Sequence, residues 1–263
     1  MRSNNFPIGL FDSGVGGTSI WREINTLLPK ENTIYLSDSK NAPYGSKTKE
    51  DIIQLSIKNT EFLLERNCKQ IVVACNTATT NAISFLRNKY NIPFIGIEPA
   101  IKPAALKTRN NTIGILATKG TLNSALFEET SKTINQKVTI IETIGKGLVE
   151  LIENGKLNSK EMTILLTSYL KPMLEKNIDY LVLGCTHYPY LIPQIRKIVG
   201  SKIKIIDSGE AVANQTQNIL NKNNLLNRNN FLGKHHFYIN KNKATLESLI
   251  SKAGNITITE KDF

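Results

Sequence analysis

The segment Ile71-Val-Val-Ala-Cys75-Asn-Thr77 has a counterpart in Leu181-Val-Leu-Gly-Cys185-Thr-His187, 110 residues further along the chain. Each is an apolar run closing on a small residue, then a cysteine, then small polar residues. Runs of this length read as strands covered on both faces. A second pair precedes them: Ile8-Gly-Leu-Phe-Asp12-Ser13 and Ile113-Gly-Ile-Leu-Ala117-Thr118, offset by 105. The same local design used twice points to an internal repeat.

Between the runs the apolar period changes from strand to helix. After residues 8–11, Ile20, Ile24, Leu27 and Leu28 fall on one helical face that stops at Pro29. Residues 33–36 form a second strand. Thr48 and Asp51 make a capping box that opens a helix to about residue 66. Residues 71–74 form a third strand, with a helix to about 90, and 93–95 a fourth. The pattern restarts with strands at 112–116, 138–141, 180–183 and 203–206. Helices are expected at 122–131, 147–153, 159–176, 193–199 and 211–220. The tail from Asn221 is rich in Asn and Lys, with weaker strand-like pieces at 236–239 and 256–258. Strand–helix alternation predicts an α/β fold: two similar α/β halves with mainly parallel sheets. Ligands then belong in the cleft beyond the strands' carboxyl ends.

Composition narrows the partners. The 263 residues are 40% hydrophobic and 21% charged, an ordinary globular balance. No apolar run approaches membrane-spanning length, and residues 1–8 lack the apolar core of a signal peptide. Three cysteines, an odd number, fit a reducing, cytoplasmic setting better than a disulfide framework. The net charge of +11 comes from 33 basic residues spread along the chain. Nucleic-acid binders concentrate such residues on one face with stacking aromatics, so no nucleic-acid partner is expected.

Three motifs carry chemistry. Asp12-Ser-Gly-Val-Gly-Gly-Thr18 links a strand to a helix, and its glycines let backbone N–H groups approach a ligand. It matches neither the dinucleotide fingerprint nor the P-loop, so Asp38 is not read as a ribose-binding acid. Cys75 and Cys185 sit in matching contexts at predicted helix N-termini, where dipoles stabilise thiolates. His187, two residues beyond Cys185, is placed to tune it. If the halves face each other, two sulfurs reach one carbon from opposite sides, the geometry for removing a proton from one face and returning one to the other. Cys-Thr-His offers only two of the ligands a zinc site needs. Cys68 reads as a structural thiol, and His235-His236 as a surface pair.

Pro43-Tyr44-Gly45 lies on the same sheet edge, where the Tyr44 hydroxyl can reach a carboxylate. Thr118 and Thr121 cap a helix facing the cleft. Glu150 is a candidate if its helix end turns toward His187.

Together the motifs resemble the cofactor-independent aspartate/glutamate racemase superfamily, in particular its glutamate racemases. The carriers are Asp-Ser-Gly-Val-Gly-Gly at 12–17, Pro-Tyr-Gly at 43–45, Ala-Cys-Asn-Thr-Ala at 74–78, Ala-Thr-x-Gly-Thr at 117–121, Leu-Val-Glu at 148–150 and Gly-Cys-Thr-His-Tyr-Pro at 184–189. The resemblance implies interconversion of L- and D-glutamate without a cofactor or metal, to supply peptidoglycan synthesis. It implies that Cys75 and Cys185 are the acid/base pair, with Asp12 assisting the first and Glu150 and His187 the second. Asp12, Ser13, Pro43, Tyr44, Gly45, Asn76, Thr77, Thr118, Thr121, Thr186 and His187 would line the substrate site. It further implies a cytoplasmic homodimer with one domain of residues 1–98 plus 207–263 and another of 99–206, related by a pseudo-two-fold. Some members carry an extended N-terminus and need a peptidoglycan-precursor activator; seven residues before the first strand argue against that here. Two other readings stay open: a racemase for aspartate or a hydantoin, and a two-lobed anion-binding protein without chemistry.

Overall fold

The computed structural model describes residues 3–134, 137–250 and 255–263. In its first part β1 (Ile8–Asp12), α1 (Thr18–Leu27), β2 (Thr33–Ser37), α2 (Lys49–Glu65), β3 (Gln70–Val73), α3 (Asn76–Lys89) and β4 (Phe94–Gly96) alternate. The second part runs α4 (Ile101–Lys107), β5 (Thr112–Ala117), α5 (Lys119–Leu122), α6 (Ala125–Lys132), β6 (Thr139–Ile144), α7 (Leu148–Glu153), α8 (Lys160–Glu175), β7 (Tyr180–Gly184), α9 (Ile192–Val199) and β8 (Lys204–Ile206). α10 (Gly209–Lys222), β9 (His235–Ile239), α11 (Lys243–Ile250) and β10 (Ile256–Glu260) follow.

Two parallel sheets result, with orders β10-β9-β2-β1-β3-β4 and β6-β5-β7-β8. The repeat is visible in the topology: β2-β1-β3-β4 and β6-β5-β7-β8 are the same order. Every residue of β1 and β3 is buried, as strands with helices on both faces require. The weak strand-like pieces of the tail are β9 and β10, which bring the chain back to extend the first sheet beyond β2. α10 packs on α1. One apolar cluster includes Leu10 and Val72 of the first sheet, Val15, Leu148 and Ile152 between, and Leu183 of the second. Among the described residues no helix is long and apolar enough to cross a membrane.

Local signals explain most boundaries. Thr48 caps α2 by accepting from the Asp51 N–H at 3.1 Å. The helix expected at 122–131 is instead two, because Ser124 breaks it and caps α6 through the Phe127 N–H at 3.2 Å. α4 and α11 were not anticipated. His235 is not a surface residue: it is buried, bonded to Thr33 at 2.9 Å and set edge-on to Trp21. His236 is half-buried and stacked on Tyr238. Cys68 is buried, and burial pushes its thiol up to about 12. Lys69 and Glu31 form a buried ion pair at 2.5 Å. Lys69 also donates to the Asn4 carbonyl, and Glu31 accepts from the Asn227 N–H, so four chain segments are tied at one point.

Candidate active site

The site forms where the strand order reverses. β1 lies between β2 and β3, so the chain leaves its carboxyl end in one direction and that of β3 in the other, which opens a crevice there. Phe11 pairs with Val73, which brings Asp12 and Ser13 alongside Ala74 and Cys75. In the second sheet Ala117 pairs with Gly184, bringing Thr118 alongside Cys185.

Both cysteines line one small cavity with Ser13, Asn76, Thr77 and Thr186. Pro43, Tyr44, Gly45, Thr118, Val149 and His187 complete its wall. Its volume is about 10 Å3, room for one water molecule. Cys75 is the N-cap of α3, its Sγ accepting from the Ala78 N–H at 3.4 Å and lying 3.7 Å from Ser13 Oγ. Cys185 differs from the expectation of a helix N-terminus. It precedes a tight turn at Tyr188–Leu191 that runs on into α9.

Each sulfur has a charged neighbour. Asp12 is fully buried and accepts from the Ser13 N–H at 2.7 Å, the Gly17 N–H at 2.6 Å and, across the cleft, Thr186 Oγ1 at 3.3 Å. Beside Cys185, His187 Nδ1 stands 3.7 Å from Sγ, while Nε2 meets Glu153 Oε1 at 2.6 Å. Glu153 also accepts from the Val15 N–H at 2.7 Å and from Ser39 Oγ at 2.7 Å. The carboxylate from the second half is thus seated in the glycine turn of the first. That explains the glycines: a Cβ on Gly14 would lie 1.9 Å from Glu153 Oε1, and one on Gly16 would lie 2.2 Å from His187 Nδ1. They admit side chains of the opposite half, where the sequence suggested a ligand.

Burial dominates the protonation equilibria. It raises the Asp12 carboxyl above its usual range, with His187 pulling the other way. It raises the Cys75 thiol well above the ordinary value, and the Asp12 charge adds to the rise. The helix N-terminus at Cys75 therefore loses to desolvation. For His187 burial works against the cation, but contact with Cys185 and Glu153 outweighs it and the pKa is raised well above 6.5.

Glu150 is not the partner of His187. α7 buries Leu148, Val149, Leu151, Ile152 and Glu153 and leaves Glu150 exposed, directed to an outer chamber. Glu153, a residue the sequence reading missed, occupies that role. Its signal was available as an acid three positions on, beside Glu150 on the same helix. Tyr44 lines the cavity with its ring, but its hydroxyl donates to Asp38 at 2.6 Å and is not directed at a ligand. Thr77, Thr118 and Thr121 form a hydroxyl triangle across the halves, with separations of 2.8, 3.0 and 3.4 Å. Both side-chain amide atoms of Asn76 are buried without a hydrogen-bond partner, in the cavity wall. Val149 joins the wall unannounced.

Two equivalent parallel sheets whose carboxyl ends bring one cysteine each to a single small cavity define a class: two-sheet α/β proteins with a small-molecule site at the meeting of the sheet ends. The chain belongs to the Asp/Glu/Hydantoin racemase family, whose profile matches residues 8–216. It is 45% identical over 212 residues to a glutamate racemase of Cupriavidus pinatubonensis, covering 81% of this chain and 78% of that one. Its fold is similar to a glutamate racemase of Bacillus anthracis, with TM-score 0.87, 31% identity and 98% of each chain covered. A glutamate racemase of Francisella tularensis solved with D-glutamate is similar over 98% of each chain, with TM-score 0.83 and 29% identity.

Proposed function

We propose that this protein racemises glutamate without a cofactor, one of Cys75 and Cys185 removing the Cα proton and the other supplying a proton to the opposite face. One sulfur, as thiolate, takes the proton from Cα; the other, as thiol, donates its proton to the opposite face of the resulting carbanion. The two sulfurs end the turnover with their protonation states exchanged, ready for the reverse reaction. The observation that carries the reading is that both cysteines, from equivalent strand ends, line the same cavity.

The remaining residues have roles in this reading. Asp12, with its proton affinity raised by burial, exchanges a proton with Cys75. His187, its proton affinity raised by contact with Cys185 and Glu153, serves Cys185. The unpartnered Asn76 amide, the Ser13 and Thr186 hydroxyls and the threonine triangle bind the amino acid's carboxylates and ammonium. Pockets for small molecules hold about 300–1,000 Å3, so a cavity of about 10 Å3 must open to admit an amino acid. The two sheets, as the cores of domains 1–98 plus 207–263 and 99–206, separate and reclose around substrate. The enzyme works in the cytoplasm as a homodimer, and its D-glutamate enters peptidoglycan and so serves cell shape.

The test is circular dichroism of L-glutamate with purified protein and no added cofactor. The signal decays to zero with the wild type and persists with Cys75→Ala and with Cys185→Ala. Undiminished activity in either variant overturns the two-thiol mechanism. Faster loss of the signal from L-aspartate than from L-glutamate overturns the substrate.

A further inference from the structure

The cavity around the sulfurs lies beside a larger space. A chamber of about 830 Å3 shares Pro43, Gly45, Thr118 and Val149 with it as walls, and so forms its approach. The charged residues lining the chamber are Lys47, Lys119, Lys146 and Glu150. Lys119 and Lys146 are exposed and Lys47 half-buried. Among the described residues, none of the three lysines takes part in an ion pair. They converge from separate places: Lys47 follows the turn at Tyr44–Ser46, Lys119 opens α5, and Lys146 lies between β6 and α7.

The inner cavity has the opposite character. Its wall contains no lysine or arginine, and its ionisable neighbours include the carboxyls of Asp12 and Glu153 with one imidazole. A glutamate molecule at neutral pH carries two carboxylates and one ammonium, a net charge of about −1 by its reference ionisations. Its entry is opposed by those carboxyls unless a positive field stands outside. Three cations against one anion supply that field at the only stage where substrate is still hydrated and mobile.

We propose that Lys47, Lys119 and Lys146 form a cationic collar that gathers anionic substrate into the chamber and sets its capture rate, with Glu150 as a partial counterweight. This inference rests on the glutamate reading of the site. Fields of this kind raise association by about 10- to 1,000-fold and fall with ionic strength. The Debye length shrinks from about 30 Å at 0.01 M salt to about 10 Å at 0.1 M. The collar acts before chemistry, so it changes kcat/KM and leaves kcat alone.

The test compares the wild type with the triple variant Lys47→Gln/Lys119→Gln/Lys146→Gln, on L-glutamate, in 10 and 300 mM sodium chloride at one pH. The wild-type kcat/KM falls about tenfold between the two salts. The variant begins about tenfold lower, hardly changes with salt, and meets the wild type at high salt, with kcat within about twofold throughout. A Glu150→Gln variant moves the other way, with kcat/KM above wild type at low salt. A variant equal to wild type at 10 mM salt overturns the collar, as does a loss confined to kcat or a Glu150→Gln value below wild type. If the wild type racemises no glutamate at all, the substrate reading fails first, which is a separate result.

Discussion

Glu150 and Glu153 lie on the same short helix, yet only Glu153 reaches the glycine turn and His187. Three residues advance a helix by about 4.5 Å and leave the two side chains about 60° apart around its axis, so the step along α7 and that modest turn put one carboxylate in the chamber and the other against His187. Glu153→Gln removes the carboxylate on His187 Nε2 and leaves burial and Cys185 acting on the ring, so its pKa falls. The His187 titration, followed by NMR, moves to lower pH, and kcat drops by about a hundredfold. Gly14→Ala drives a methyl into the same carboxylate, at 1.9 Å before relaxation. It costs about 1–3 kcal/mol in urea unfolding and lowers kcat with little change in how α1 folds. At this scale Asp12, Cys75, Cys185 and His187 were legible because chemistry-bearing side chains followed strand signals. Glu153 was not, because a helix boundary in a six-residue segment decides which acid turns inward.

Element by element, the strands and the longer helices could be read from period and caps. The break between α5 and α6 needed the hydroxyl of Ser124, a polar residue that either caps a helix or sits within one. β9 and β10 read weakly because short, partly buried strands with Asn- and Lys-rich flanks, β10 at the sheet edge, have little apolar contrast. The pairing of Lys69 with Glu31 was invisible in sequence, since the partners come together only through tertiary structure. Lys69→Ala leaves Glu31 buried and uncompensated and destabilises the protein by about 3–5 kcal/mol in urea unfolding. Replacing both partners with apolar residues costs much less.

For the whole molecule, the decisive information was the repeat, because two copies of one strand–cysteine design imply two equivalent sheet edges facing each other. Their closure to about 10 Å3 was beyond reach, since it depends on how the halves pack. Burial of thiols, in the core and at the site, also sets the alkaline limit. Cys68 ionises near 9.0 when unfolded and at about 12 when folded. Its folded pKa is raised, so the unfolded chain releases the proton first and stability falls as pH climbs from about 9 to about 12. Cys75, also raised, acts in the same direction. Cys68→Ala gives a shallower loss of stability across that window, measured by urea unfolding at stepped pH; an unchanged slope shows that the thiol is not responsible.

The central claim is that two sulfurs address opposite faces of one carbon, and its most direct measurement is early-time racemisation of L-glutamate in deuterium oxide. Mass spectrometry after chiral separation should find the D-product carrying one solvent deuterium at Cα while the remaining L-substrate stays unlabelled. Product without deuterium, or substrate labelled as fast as product forms, would mean that a single group serves both faces.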